Sequence, residues 1–169
     1  MNSEQLRQIQ APLKADYTAH PEKAVVELNA AGQIDIPAVT CTVTVSADGG
    51  KTVSGLHPVA GGDGSSACSG DMLLQSLAAC SGVTFAAVAT AMDLQISAAR
   101  VDVLGRMDFR GTLGIDRETA VGLTSVELTF FVDSDEPPEK IDKLIQLTER
   151  YCVVLQTLQQ GVPVSSRRG

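Results

Sequence analysis

Apolar positions recur with two different periods along this chain, and the two regimes separate strands from helices. Val39, Cys41, Val43 and Val45 alternate with polar residues in "AVTCTVTVSADGGKTVSG". A period of two predicts a half-buried strand, and "ADGG" predicts the turn of a hairpin. Cys41 then lies on the apolar face of a strand, where its ordinary role is that of a small core residue. Upstream, "KAVVELNAAG" predicts a strand running into a turn. Downstream, "ARVDVLGRMDFRG" and "GLTSVELTFFVD" alternate in the same way and predict two more strands, joined by "TLGIDRETAV".

Three stretches follow the helical period instead. "SEQLRQIQAPLKADY" predicts a polar, weakly amphipathic helix within an N-terminal extension, residues 1–20, with Pro12 as a point of breakage. From Met72 to Met92 the chain carries no charged residue, which predicts a long helix over about 70–92, buried on several sides. Ser69 suits its N-cap, and Asp71 suits its electropositive first turn. The loop "HPVAGGDGSSACS" leads into it. A third helix is predicted in "SDEPPEKIDKLIQLTERYCVVLQTL", where Ile141, Leu144, Ile145, Thr148, Tyr151 and Cys152 trace one stripe. Cys152 faces inward, at or just beyond the end of that helix. The order of elements predicts an α+β fold, an antiparallel sheet with helices packed on one face, in a single domain spanning residues 1–169.

Composition narrows the function. Thirteen basic residues stand against twenty acidic ones, for a net charge of -7. With no basic cluster beyond "SSRRG" and only six aromatic residues, the chain lacks the electrostatic and stacking features that bind nucleic acid. The polar start "MNSEQLRQIQ" carries no secretory pattern, so a cytoplasmic location is expected. The uncharged run is long enough to span a bilayer. However, Gln75, Ser76, Ser81, Thr84 and Thr90 dilute it, and Asp71 and Asp93 flank it, so no membrane partner is expected. Cys41, Cys68, Cys80 and Cys152 form no CxxC pair, and only His20 and His57 could join them, so no metal site is expected.

The cysteines carry the chemistry in question. A thiol reacts as its thiolate and needs a source of positive potential to ionise near neutral pH. Cys80 lies roughly 15 Å along its helix from the first turn, beyond reach of that helix's dipole. Either a side chain brings a cation to it or Cys80 is simply core, and the residues leave both readings open. Cys68, beside the helix start, is the other cysteine that could react, although nothing supplies it with a partner.

"CSGDMLLQSLAACSGVT" followed by the late "ERYCVVLQTL" resembles the OsmC/Ohr family, the osmotically inducible and organic hydroperoxide resistance proteins, in its OsmC-like branch. In that family a helix reading roughly E-L-L-x-A-x-x-A-C carries a reactive cysteine, and a second follows a later helix in a C-P-V-like context. Cys80 matches the first and Cys152 the second, while Val153 stands where proline is common. The resemblance covers about residues 20–165. It implies a long buried central helix, an intertwined homodimer and a thiol peroxidase acting in oxidative-stress defence. Cys80 would attack a hydroperoxide and become a sulfenic acid, Cys152 would resolve it as a disulfide, and an external dithiol would reduce the disulfide. No metal or bound cofactor is implied. Leu73, Leu77, Thr84 and Ala87 around Cys80 suit an organic peroxide, and equally suit an ordinary core.

The resemblance also implies an acidic residue near Asp71 and an arginine from the N-terminal region as supports of the thiolate. No arginine lies between Arg7 and Arg100, which leaves Lys14, Lys23, Arg106 or Arg110 as substitutes. His57 could orient substrate or polarise the thiol, or be a solvated turn residue beside Pro58. A non-catalytic relative binding a small apolar ligand at the dimer interface is the main alternative. Gly62, Gly64 and Ala67 mimic a dinucleotide-binding spacing, but no P-loop lysine follows, and Asp63 and Asp71 would repel phosphate. A serine hydrolase lacks its G-x-S-x-G elbow.

Overall fold

The computed structural model describes residues 1–45 and 49–169. In chain order the elements are α1 (Ser3–Ala19), β1 (Gly32–Asp35), β2 (Thr40–Thr44), β3 (Lys51–Gly55), β4 (Ala67–Cys68), α2 (Ser69–Ala91), β5 (Ala98–Met107), α3 (Phe109–Thr112), β6 (Leu123–Asp133), α4 (Pro138–Tyr151) and α5 (Val153–Gln160). The chain forms two compact units. One comprises residues 1–22, 76–103 and 128–169, and the other residues 23–75 and 104–127, so that α2, β5 and β6 each contribute to both.

The first unit holds the buried core. Leu77, Ser81, Phe85 and Ala89 form the buried stripe of α2, each four residues from the last. Phe85, Ala89 and Leu144 of α4 pack with Val88, Met92, Phe130, Val132 and Ile145 around them, and Phe85 stacks on Phe130 at 5.7 Å between ring centres. On α4 the predicted stripe is buried at Leu144, Thr148 and Cys152, but Tyr151 turns outward and is 56% exposed. Its phenol ring lies under the Arg150 guanidinium instead. Glu136 steadies the start of α4: its carboxylate accepts from the Gln95 N–H (3.1 Å) and from Lys140 Nζ (2.8 Å).

α1 runs straight through Pro12. The break expected at Pro12 is therefore corrected, and since no residue of α1 is buried, water can reach the main chain where the proline withholds a hydrogen bond. An Asn2–Gln5 capping box closes its start with two 2.9 Å hydrogen bonds.

The second unit is a mixed sheet in the order β1-β2-β3-β4. β2 and β3 form the predicted antiparallel hairpin, with Cys41 opposite Ser54 and the Val45 N–H donating to the Gly50 carbonyl at 2.8 Å. Ala47 and Asp48 of the predicted turn lie outside the described residues. β4 joins β3 in parallel, so the expected all-antiparallel sheet is corrected to a mixed one. β5 and β6 form a separate two-stranded sheet. They run in opposite directions, as the Ser97 N–H to Asp133 and Thr124 hydroxyl to Arg106 hydrogen bonds require. The strand expected at "KAVVELNAAG" is also corrected: residues 21–24 form a 3-10 turn, residues 25–31 have no regular structure, and β1 begins only at Gly32. Val25, Val26 and Leu28 there are exposed, and apolar residues make a strand only where a neighbouring strand or a core receives them.

Candidate active site at the start of α5

The helix predicted to carry Cys152 is two helices. Cys152 closes α4 and caps α5, with extended backbone at φ -72°, ψ 108°. Its N–H still donates to the Thr148 carbonyl and its own carbonyl accepts from the Gln156 N–H, both at 2.9 Å, so the joint costs Cys152 neither of its main-chain bonds. No proline or glycine marks the break, and the β-branched pair Val153–Val154 is its only local cue.

This joint brings the two cysteines together. Cys152 is completely buried, its Sγ 3.4 Å from the Oγ of Ser81, which is also completely buried. The Cys152 thiol lies within hydrogen-bonding reach of Cys80, the residue before Ser81 on α2. Cys80 is half-buried, and all four cysteines are free thiols.

Burial is the largest single influence on the Cys80 thiol and pushes its pKa up. The donors around the sulfur outweigh it together: the Val154 N–H, the Cys152 thiol, the Val153 N–H and the Thr84 hydroxyl hold the pKa below its ordinary value. The last is the weakest, because the Thr84 hydroxyl has one proton and already offers it to the Cys80 carbonyl at 2.8 Å. Among the described residues no cation contributes. Of the substitutes for an arginine, Arg110 is held by both oxygens of Asp108 at 2.6–3.1 Å. Ionisation of Cys80 would also orient its neighbours. A thiolate can only accept, so the Cys152 S–H points at it, and the Cys152 lone pairs are left to the Ser81 hydroxyl.

Asp71 and His57 belong to the second unit. Asp71 is exposed in the first turn of α2. His57 accepts the Val59 N–H on Nδ1 at 3.1 Å, capping a 3-10 turn, and its ring lies 5.0 Å from that of Phe109. Cys41 sits on β2 opposite Ile34, and Cys68 on β4 opposite Gly55. Among the described residues, no three His, Cys, Asp or Glu side chains converge on a point that could hold a metal. The sequence reading missed the Val153 and Val154 amides, because a main-chain donor has no side-chain signature, and it met Ser81 only as a polar residue within the uncharged run.

The family model for the OsmC-like proteins matches residues 62–167, most of the chain and both cysteines. The chain belongs to the OsmC-like family. Solved structures of that fold agree. An OsmC-like protein from Mycoplasma pneumoniae superposes with a TM-score of 0.65 at 20% identity, over 80% of this chain and 89% of its own. An organic hydroperoxide resistance protein from Elizabethkingia anophelis gives 0.63 at 14% identity, over 81% and 91%. An organic hydroperoxide resistance protein from Legionella pneumophila gives 0.62 at 12% identity, over 80% and 92%. Comparison with curated protein sequences gives no match. Among the described residues α2 is the one helix that length and composition would allow to cross a membrane. In this OsmC-like chain its stripe of Leu77, Ser81, Phe85 and Ala89 is buried within the protein.

Proposed function

We propose that this OsmC-like protein is a two-cysteine thiol peroxidase of oxidative-stress defence, with Cys80 as nucleophile and Cys152 as resolving thiol. The observation that carries the reading is the meeting of a half-buried thiol of lowered pKa with a completely buried second thiol at a helix joint. The Cys80 thiolate attacks one oxygen of a hydroperoxide, the O–O bond breaks, and the alkoxide leaves and takes a proton to become the alcohol. The sulfenic acid on Cys80 then condenses with the Cys152 thiol, forming the disulfide and releasing water. An external dithiol returns two electrons by thiol exchange. The chemistry needs no metal and no bound cofactor. Organic hydroperoxides suit the apolar residues beside Cys80, and the names of the hydroperoxide resistance proteins sharing the fold point the same way.

The working form in this reading is one OsmC-like domain, paired as an intertwined homodimer around α2 in the cytoplasm, with no nucleic-acid or membrane partner. Support for pairing comes from exposed apolar residues. In the second unit no described side chain is fully buried and Leu28 is 90% exposed, and in the first unit Val83 of α2 is 73% exposed. One other observation favours a different reading, a non-catalytic protein binding a small apolar ligand between subunits. A pocket of about 170 Å³ in the first unit is lined by Phe85, Ala86, Arg100, Val101 and Phe130 among others.

The deciding experiment is intact mass and thiol count after one equivalent of cumene hydroperoxide, on wild type, Cys80→Ser and Cys152→Ser. A Cys80–Cys152 disulfide in wild type and a trapped sulfenic acid on Cys80 in Cys152→Ser are expected. Two thiols in wild type that stay free and unreactive would sink the peroxidase reading and leave the ligand-binding one.

A further inference from the structure

We propose that a cleft in the second unit, between the β1–β2 turn and the glycine loop before α2, binds a small organic ammonium that carries a hydroxyl group. The cleft holds about 420 Å³, the size of a small-molecule site, and is lined by residues 38–40, 55–56, 61–63 and 65–66. Thr40 and Ser66 close in over Gly55 of β3. A Cβ on Gly55 would come 3.0 Å from the Ser66 Cβ and 3.7 Å from the Thr40 Cγ2, so the bare main chain is what lets the two side chains approach. The β1–β2 turn is held in an unusual conformation. Val39 has φ 53°, in the left-handed region that a β-branched residue rarely enters. Two hydrogen bonds pin it there, the Ala38 N–H to the Asp35 carboxylate (3.1 Å) and the Val39 N–H to the Ile36 carbonyl (3.2 Å). Backbone strain of this kind gathers at ligand clamps. The glycine loop is equally fixed, with the Gly62 N–H donating to the His57 carbonyl at 3.1 Å.

Charge decides the class of ligand. The loop mimics a dinucleotide-binding spacing, but the Ser65 N–H and hydroxyl that a phosphate would use both donate to Oδ1 of Asp63, at 2.8 and 2.6 Å. These bonds hold the Asp63 carboxyl below the usual carboxylate range, so it is an anion at neutral pH. Among the described residues lining the cleft, Asp63 alone is charged. A cation is matched there and an anion is repelled, and the net charge of -7 favours the same sign of ligand. The Thr40 and Ser66 hydroxyls can each donate and accept, which suits a ligand hydroxyl. Val39 and Leu56 supply apolar surface for the carbon chain between the two polar ends. Cys80 and Cys152 belong to the first unit, so this site stands or falls independently of the peroxidase reading.

Three probes of similar length test it: aminobutanol, butanediol and hydroxybutyrate, which carry an ammonium, a hydroxyl or a carboxylate at one end. Each is titrated into the whole protein while the main-chain amide resonances are followed by NMR. Aminobutanol is expected to shift the amides of residues 38–40, 55–56 and 61–66 and to saturate at about 1–10 mM. Butanediol and hydroxybutyrate are expected to bind at least about tenfold more weakly. Asp63→Asn, which keeps an acceptor for Ser65, should lose the same factor of about ten for aminobutanol. Glu27→Gln removes an exposed carboxylate outside the cleft and should bind as wild type does. Shifts spread over the surface without saturation overturn the proposal. So does either other probe binding as tightly as aminobutanol, or undiminished binding by a folded Asp63→Asn protein. Should that variant not fold, the three probes on wild type decide.

Discussion

Ser81 is a polar residue on the buried stripe of an apolar helix, and the neighbour that explains it is the Cys152 sulfur at 3.4 Å. Ser81→Ala removes that contact while leaving the Cys80 donors in place. The expected result is a small loss of stability, about 0.5–1.5 kcal/mol, measured by urea unfolding. It should come with slower disulfide formation after peroxide and an unchanged alkylation midpoint at Cys80. Resolution as fast as in wild type would remove Ser81 from any role in orienting Cys152. The pH dependence also belongs to this scale. The native pKa of Cys80 is lowered, so its thiolate persists below the ordinary thiol range, and reactivity is lost as pH falls through the lowered value. Folding follows the same sign: ionised Cys80 contributes stability above the unfolded-state pKa, and the contribution fades as pH falls through the native one. An alkylation midpoint at or above that of a free cysteine peptide would contradict both.

Among elements, periodicity made some legible and left others invisible. α2 was readable from its long uncharged run, and β5, β6 and the β2–β3 hairpin from alternation kept over several positions. β4 and α3 have two and four residues, too few to establish a period. The α4–α5 break was hidden because no proline or glycine marks it, and the contact made there, Cys152 against Ser81, spans 71 positions. For the site, both thiols could be read from the sequence, and the main-chain groups that bear on the Cys80 sulfur could not. The loop before α2 illustrates a local requirement of another kind. A Cβ on Gly62 would fall 1.8 Å from the Leu56 carbonyl oxygen, main chain that cannot swing aside. Gly62→Ala is therefore expected to cost about 1–3 kcal/mol in thermal or urea unfolding. Stability equal to wild type would mean that the loop can reshape itself around the methyl group. At α4, Lys140 and then the Gln95 N–H hold the Glu136 carboxyl below the usual carboxylate range. Its stabilising contribution is present above that range and lost as pH falls through the lowered value. Glu136→Gln should accordingly lower the melting temperature at pH 7 and converge with wild type in acid; a constant difference at every pH would argue against this account.

For the molecule as a whole, apolar surface is the dominant fact. Fully buried apolar side chains are confined, among the described residues, to the first unit, while β1 is exposed along its whole length. A second copy that covers this surface would bind only the folded chain, so stability should grow with protein concentration. The expected observation is a melting temperature that rises with concentration, together with a sedimenting species of twice 17.7 kDa. Ile34→Lys, which places a charge on the exposed face of β1, should weaken both. A chain that sediments as a monomer and melts independently of concentration would exclude the homodimer.

The unequal exposure of the two sulfurs also gives regeneration a direction. In a Cys80–Cys152 disulfide, an incoming dithiol can approach the half-buried sulfur and not the enclosed one. Attack would fall on Cys80, and Cys152 would depart as the leaving group beside Ser81, whose hydroxyl can donate to the departing thiolate. A reductant stripped of its second cysteine should then be captured on Cys80 alone. The enclosed sulfur would act as a one-way valve, sending every electron pair into the site through the same thiol that peroxide oxidises.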